Sequence, residues 1–270
     1  MQTEPGRDVG NTFSRAWQLL TSNWIIIVPG IVIAIVFGIL TAVLVAAATP
    51  HVVYDANGMP TGATSVGGSF WALALTPILA IIATILSITY TTGMAGAAWA
   101  RGTTTLLDGY DAFREDAGHV LMAMIILLVV GIVAAILAPF TLGLSVLAFL
   151  LFFIYTMAAA VVGNRPGMEA VTESFQMVIR AFGTTLVIVL LIFVISIIAG
   201  IIGVALHFIP FIGPVIGQIL EQIVVAFSTL VIVGEYLKLR APATSVAGVT
   251  SSTTYTPPPP PPPQSPGPTV

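Results

Sequence analysis

The 270-residue chain is 57% hydrophobic and 7% charged, with a net charge of −3, no cysteine and a mean hydropathy of +1.05. A soluble domain carries roughly 25% charged residues, so 8 basic and 11 acidic side chains cannot cover a water-facing surface, and the composition is that of an integral membrane protein. The net charge and the lack of any basic run disfavour nucleic acid as a partner, and the lack of cysteine excludes disulfides, thiol nucleophiles and cysteine metal sites.

Crossing the ~30 Å hydrocarbon core takes about 20 apolar residues. Six stretches qualify: 24–48, 71–98, 119–137, 142–162, 184–206 and 213–236. The fold class is therefore all-α, a polytopic membrane bundle of six transmembrane helices. It divides into an N-terminal segment 1–23, a six-span domain 24–240 and a proline-rich tail 241–270. The eight basic residues, Arg7, Arg15, Arg101, Arg114, Arg165, Arg180, Lys238 and Arg240, all fall in alternate connections or termini. Lys and Arg resist translocation, which places both termini in the cytoplasm.

In the N-terminal segment Phe13, Trp17, Leu20 and Trp24 recur at helical spacing opposite Asn11, Arg15, Gln18 and Ser22. Such a helix lies in the membrane interface with its apolar face in the acyl boundary. Span one follows, with a kink expected at Pro29. Its end, Ala46-Ala47-Ala48, resembles a signal cleavage site, but the apolar run far exceeds an h-region of about 7 to 15 residues, so it reads as an uncleaved anchor. In the outer loop, Val53-Tyr54-Asp55-Ala56-Asn57-Gly58 is a β-hairpin signal. Asp55 and Asn57-Gly58 also resemble the start of a calcium loop, whose later acidic ligands are missing.

Span two carries Ala80, Thr84, Ser87, Thr91, Ala95 and Ala98 on one face, with a kink expected at Pro77. Small residues let helices approach closely in lipid, and Gly213 with Gly217 forms a second such seam in span six. A small-residue lining for a permeation path is the functional alternative. The next connection repeats the amphipathic pattern, with Leu106, Tyr110, Phe113 and Ala117 opposite Asp108, Asp111 and Glu115. There Asp108 reads as a helix N-cap and Asp111 as a first-turn acid, with Glu115 and Asp116 on a solvated face. Spans three and four join in a tight hairpin at Ala138-Pro139.

A third amphipathic segment sets Val171, Phe175, Val178 and Phe182 against Glu169, Glu173, Gln176 and Arg180. The chain thus reads as three units, each a cytoplasmic interfacial elbow helix followed by a membrane hairpin. The aromatic anchors are Phe13, Trp17, Trp24, Phe113, Phe175 and Phe182. Such helices either sense lipid and dock a partner or simply turn the chain back into the bilayer.

In span six, Gln218, Glu221, Gln222 and Thr229 form one polar stripe. An ionisable residue at membrane depth is a functional candidate because its desolvation is costly. The stripe reads as a proton or cation site or a groove for a substrate head group. Otherwise Glu221 lies in head-group water on an outer interfacial helix. His51, His119 and His207 lack ligand spacing, so no metal site is expected, and no cofactor motif occurs. The tail holds ten prolines in thirty residues, seven of them consecutive. It reads as a polyproline II docking strip or a spacer.

The chain resembles the glycerophosphoryl diester phosphodiesterase membrane-domain family and related six-span prokaryotic families. The resemblance rests on Phe13 to Trp24, on Glu169-Ala170-Val171-Thr172-Glu173-Ser174-Phe175 and on Glu235-Tyr236-Leu237-Lys238-Leu239-Arg240. It implies a six-span fold in a prokaryotic plasma membrane. Members often carry an acidic residue where span four ends; this chain has Gly163-Asn164. The soluble phosphodiesterase barrel joined to some relatives is absent from these residues, so the resemblance implies no hydrolysis.

With no catalytic motif in the chain, the leading expectation is a non-catalytic membrane scaffold or accessory subunit. The alternative is a small transporter or lipid-handling protein using the groove around Glu221. The partners expected are membrane lipids, a cytoplasmic protein at the proline-rich tail and further copies of the chain.

Overall fold

In lipid a backbone finds no water to bond, so each long apolar run closes its hydrogen bonds internally as helix. The computed structural model describes residues 9–48, 52–54, 57, 59–63, 66–206, 208–209 and 212–241. A helix α1 (Val9–Ser22) precedes a 3-10 turn (Trp24–Ile27) and α2 (Val28–Ala48). A short hairpin, β1 (Val52–Tyr54) with β2 (Pro60–Ala63), leads into α3 (Val66–Arg101) and α4 (Leu106–Leu137). After a turn come α5 (Leu144–Phe153), α6 (Thr156–Val161), α7 (Gly167–Arg180), α8 (Phe182–Leu206) and α9 (Ile212–Arg240). The chain divides into a compact unit ending at Leu239 and a second beginning at Arg240. The proline-rich tail lies outside the described residues, as do Asp55, His51 and His207.

Among the described residues six helical segments are long and apolar enough to cross a membrane, in the places the sequence indicates. The fold is that of a multi-pass, all-α membrane protein. The hairpin expected around Asn57 is present, antiparallel, with Val52 opposite Ala63. The turn between α4 and α5 is tight because Gly143 adopts a left-handed φ of 84°, while its N–H bonds the Ala138 carbonyl at 2.8 Å. That conformation is readily adopted only by glycine.

Four local expectations are corrected. Pro29 does not kink the first span, because α2 begins only at Val28. The proline sits in the first turn, where its missing N–H costs nothing. Span four is one segment, Leu144–Val161, whose helical hydrogen-bond ladder is interrupted between α5 and α6. Ser174 of α7 inserts its hydroxyl there, donating to the Phe152 carbonyl at 2.9 Å and accepting the Tyr155 N–H at 3.2 Å.

The middle elbow is not a separate helix, since α4 runs unbroken from Leu106. Its cap is Thr105 rather than Asp108. The Asp108 carboxylate accepts the Thr105 N–H at 2.7 Å and pairs with Arg101. Finally, Asp116 is not on a solvated face. It shares a buried stripe with Gly109, Val120 and Ala123, with His119 Nδ1 3.6 Å from its carboxylate.

The elbow faces also differ from expectation. On α1 the buried residues are Thr12, Ala16, Leu19 and Leu20, whereas Trp17 is exposed. Phe13 and Trp17 flank that face and set their rings edge-on against Phe227 of α9. In α4, Leu106 and Tyr110 are exposed while Gly109 is buried, and Phe113 stacks on Tyr90 of α3. On α7, Val171 and Val178 are buried as the pattern requires, together with Gly167, Ala170, Ser174 and Met177. Phe175 lies against Phe152 of α5, and Trp24 and Phe182 are exposed. Small residues such as Ala16, Gly109 and Ala170 share these buried faces with larger apolar ones, since they permit close approach.

Candidate functional site

The helix ends that carry the basic residues come together around a set of buried polar groups. Glu235, fully buried near the end of α9, accepts the Thr12 hydroxyl of α1 at 3.1 Å and the Lys238 ammonium at 3.0 Å. One helical position on, the Tyr236 hydroxyl donates to Glu173 of α7 at 2.9 Å, and Arg165 Nε donates to the same carboxylate at 2.9 Å. Asn23 closes the other side. Its amide donates to the Gly102 carbonyl and accepts the Thr104 N–H, each at 3.0 Å. These bonds tie α1, α3, α7 and α9 into one base.

Above that base α9 meets α3 at close range. The Trp99 indole N–H donates to the Leu230 carbonyl at 2.8 Å. Gly234 makes the approach possible, since a Cβ there would collide with the Trp99 ring. A Cβ on Gly30 of α2 would likewise strike the Gln222 side chain of α9.

The polar stripe of span six is split by the fold. Glu221 is exposed and Gln218 and Gln222 are partly buried, whereas Thr229 lines a half-open cavity of about 340 Å³. That cavity lies among Thr92 of α3, Met157 and Ala158 of α6, Ser196 of α8, and Ser228 with Thr229 of α9. Glu221 is not among its lining residues. The Thr229 hydroxyl is satisfied by the Val225 carbonyl of its own helix at 2.8 Å. The Ser228 hydroxyl is buried and has no hydrogen-bond partner among the described residues.

A second space of about 710 Å³ lies between α5 and α8, lined by Leu147, Leu150 and Phe153 on one side and by Leu190 and Phe193 on the other. Ile154, Ile192, Ser196 and Ile232 line both spaces, so the inner cavity and the apolar groove adjoin. Both volumes lie in the ~300–1,000 Å³ range of small-molecule sites. The α5–α6 break forms part of the wall through Ile154 and Met157, which links the Ser174 hydroxyl to the cavity shape.

The small-residue seam of α3 holds over half its length. Thr91, Ala95 and Ala98 are buried and Ser87 partly so, but Ala80 and Thr84 are exposed. In α9, Gly217 faces Gly203 of α8, and Gly213 is buried against Leu206. The sequence names Glu235 and Ser174 only within the resemblance motifs, with no role of their own, and gives no sign of Ser228. Lys238 three residues after Glu235 was a signal for the first, but nothing local marks the other two. No protein-family profile, curated protein or solved structure matches the chain.

Proposed function

We propose that this protein is a lipid-handling membrane protein that admits an amphiphile from the bilayer, between α5 and α8, into the hydroxyl-bearing cavity among α3, α6, α8 and α9. The observation that supports this most is the junction at Ile154, Ile192, Ser196 and Ile232, where an apolar groove meets a cavity bearing hydroxyl groups. Apolar walls with a few convergent polar groups are the usual make-up of a ligand site. The role assigned is binding and transfer within the membrane, with no bond-making chemistry.

The exposed position of Glu221 moves this reading from the outer stripe of span six to the interior. The positions of the Lys and Arg residues support a cytoplasmic orientation for the base. The six-span family resemblance, and with it a prokaryotic plasma membrane, is retained as part of the proposal. A scaffold role would rest on the proline-rich tail, and no feature of the bundle favours it.

Ser196→Phe tests the reading, because Ser196 stands at the junction of both spaces. Native mass spectrometry of mildly solubilised protein is expected to show a defined lipid on the wild type that is lost from Ser196→Phe and kept by Glu221→Gln. Identical lipid complements in all three would sink the idea.

A further inference from the structure

The chemistry of the cavity wall restricts what it can hold. Among the described residues, none that lines the cavity or the groove is ionisable. A charged head group brought there would lose its hydration with nothing to replace it, at a cost far beyond that of a neutral one.

Depth points the same way. Ser228 lies ten residues before Lys238, about 15 Å along α9 at ~1.5 Å per residue, and Ser196 lies fourteen residues after Phe182, about 21 Å along α8. The hydroxyl groups therefore sit near the middle of a ~30 Å core. Phospholipid head groups stay at the surface and do not reach that level, whereas neutral lipids dissolve there. The polar capacity left over is a donor: the Thr229 proton is engaged by Val225, and the Ser228 proton is not. Serine in a helix commonly bonds the carbonyl four residues back; the Ser228 hydroxyl does not, which leaves a buried donor for an incoming acceptor.

Building on the lipid-handling reading, we infer that the cavity binds the carbonyl oxygen of a neutral, membrane-dissolved lipid at Ser228, with the hydrocarbon part of that lipid in the α5–α8 groove. An isoprenoid quinone, a long-chain ketone and a neutral ester all present this oxygen.

The test uses the full chain in phosphatidylcholine nanodiscs and three photoreactive probes of equal chain length: a methyl ketone, a plain hydrocarbon and a carboxylate. Labelling of α8 and α9 is normalised to α2, whose Ile35, Ile39 and Val43 are exposed. The ketone is expected to exceed the hydrocarbon about fivefold, the factor that one hydrogen bond of ordinary net strength supplies. Ser228→Ala should bring that ratio to about one, while Ser228→Thr, which keeps a hydroxyl, and Thr229→Val, whose hydroxyl is already engaged, should retain it. Removing an unpaired hydroxyl costs the fold no hydrogen bond, so Ser228→Ala remains testable.

Enrichment of α8 and α9 by all three probes alike, a preference for the carboxylate, or a ketone preference that survives Ser228→Ala overturns the inference and leaves the lipid-handling reading standing. No enrichment over α2 by any probe overturns both.

Discussion

The two halves of the bundle are held by different means. At the basic end the helices touch through small residues and buried polar bonds. Thr89, Thr91, Met94, Ala95 and Ala98 of α3 are buried, as are Ala226, Leu230, Val231, Val233 and Glu235 of α9. Toward the opposite end Leu75, Ile78, Ile81 and Ile82 of α3, and Val215, Ile216 and Ile219 of α9, are exposed. Lipid tails are as apolar as leucine, so a leucine- or isoleucine-rich surface gains little by leaving lipid for protein. Close packing and hydrogen bonding decide where helices stay together, and the basic end supplies both. The opposite half is free to meet lipid, which is where the groove between α5 and α8 lies.

This contrast predicts a graded response to substitution. Glu235→Ala should be the most damaging, lowering the unfolding free energy by about 3 kcal/mol, because it strips Lys238 and Thr12 of a buried partner. Glu221→Gln, at an exposed carboxylate, should change it by less than about 0.5 kcal/mol. Equal effects of the two in detergent unfolding curves would refute the buried base.

Gly234→Ala comes next. The added methyl displaces Trp99 from the Leu230 carbonyl, at about 2 kcal/mol for overpacking and a lost hydrogen bond. Gly200→Ala in α8, where a Cβ meets nothing within 4 Å, should instead raise stability by roughly 0.5–1 kcal/mol through helix propensity. Thermal unfolding of the pair measures the difference in packing between the halves directly.

A step below Gly234→Ala stands Ser174→Ala, at about 1–2 kcal/mol for the hydrogen bonds that Phe152 and Tyr155 lose in span four. Amide exchange should quicken at Tyr155 in that variant and stay unchanged at Ile188, a buried position of α8. An unaltered rate at Tyr155 would mean that the break does not depend on the serine.

The parts of the molecule legible in the chain are those governed by local rules. Six spans follow from apolar length, the hairpin from Asn-Gly after a β-branched run, and the alternation of basic connections from charge alone. The elbow faces were read from their largest apolar residues, yet α1 buries Ala16 and Thr12 and leaves Trp17 exposed. A tryptophan ring is favoured at the membrane–water interface, so size alone does not select the contact face. Glu221 drew attention as an ionisable residue within an apolar run. The burial of Glu235 is not legible there, because its partner Thr12 is 223 residues away in the chain.

Apolar length and helical period thus determined, without any tertiary information, that this is a six-span helical membrane protein, because the hydrocarbon core imposes that requirement on each segment separately. Which carboxylate is buried, where the hydrogen-bond ladder of span four is interrupted, and which hydroxyl is left without a partner in the cavity were decided only when helices distant in sequence met. Those outcomes depend on side chains such as Gly234, Ser174 and Thr12 reaching partners on other helices, and no period within a single helix encodes them.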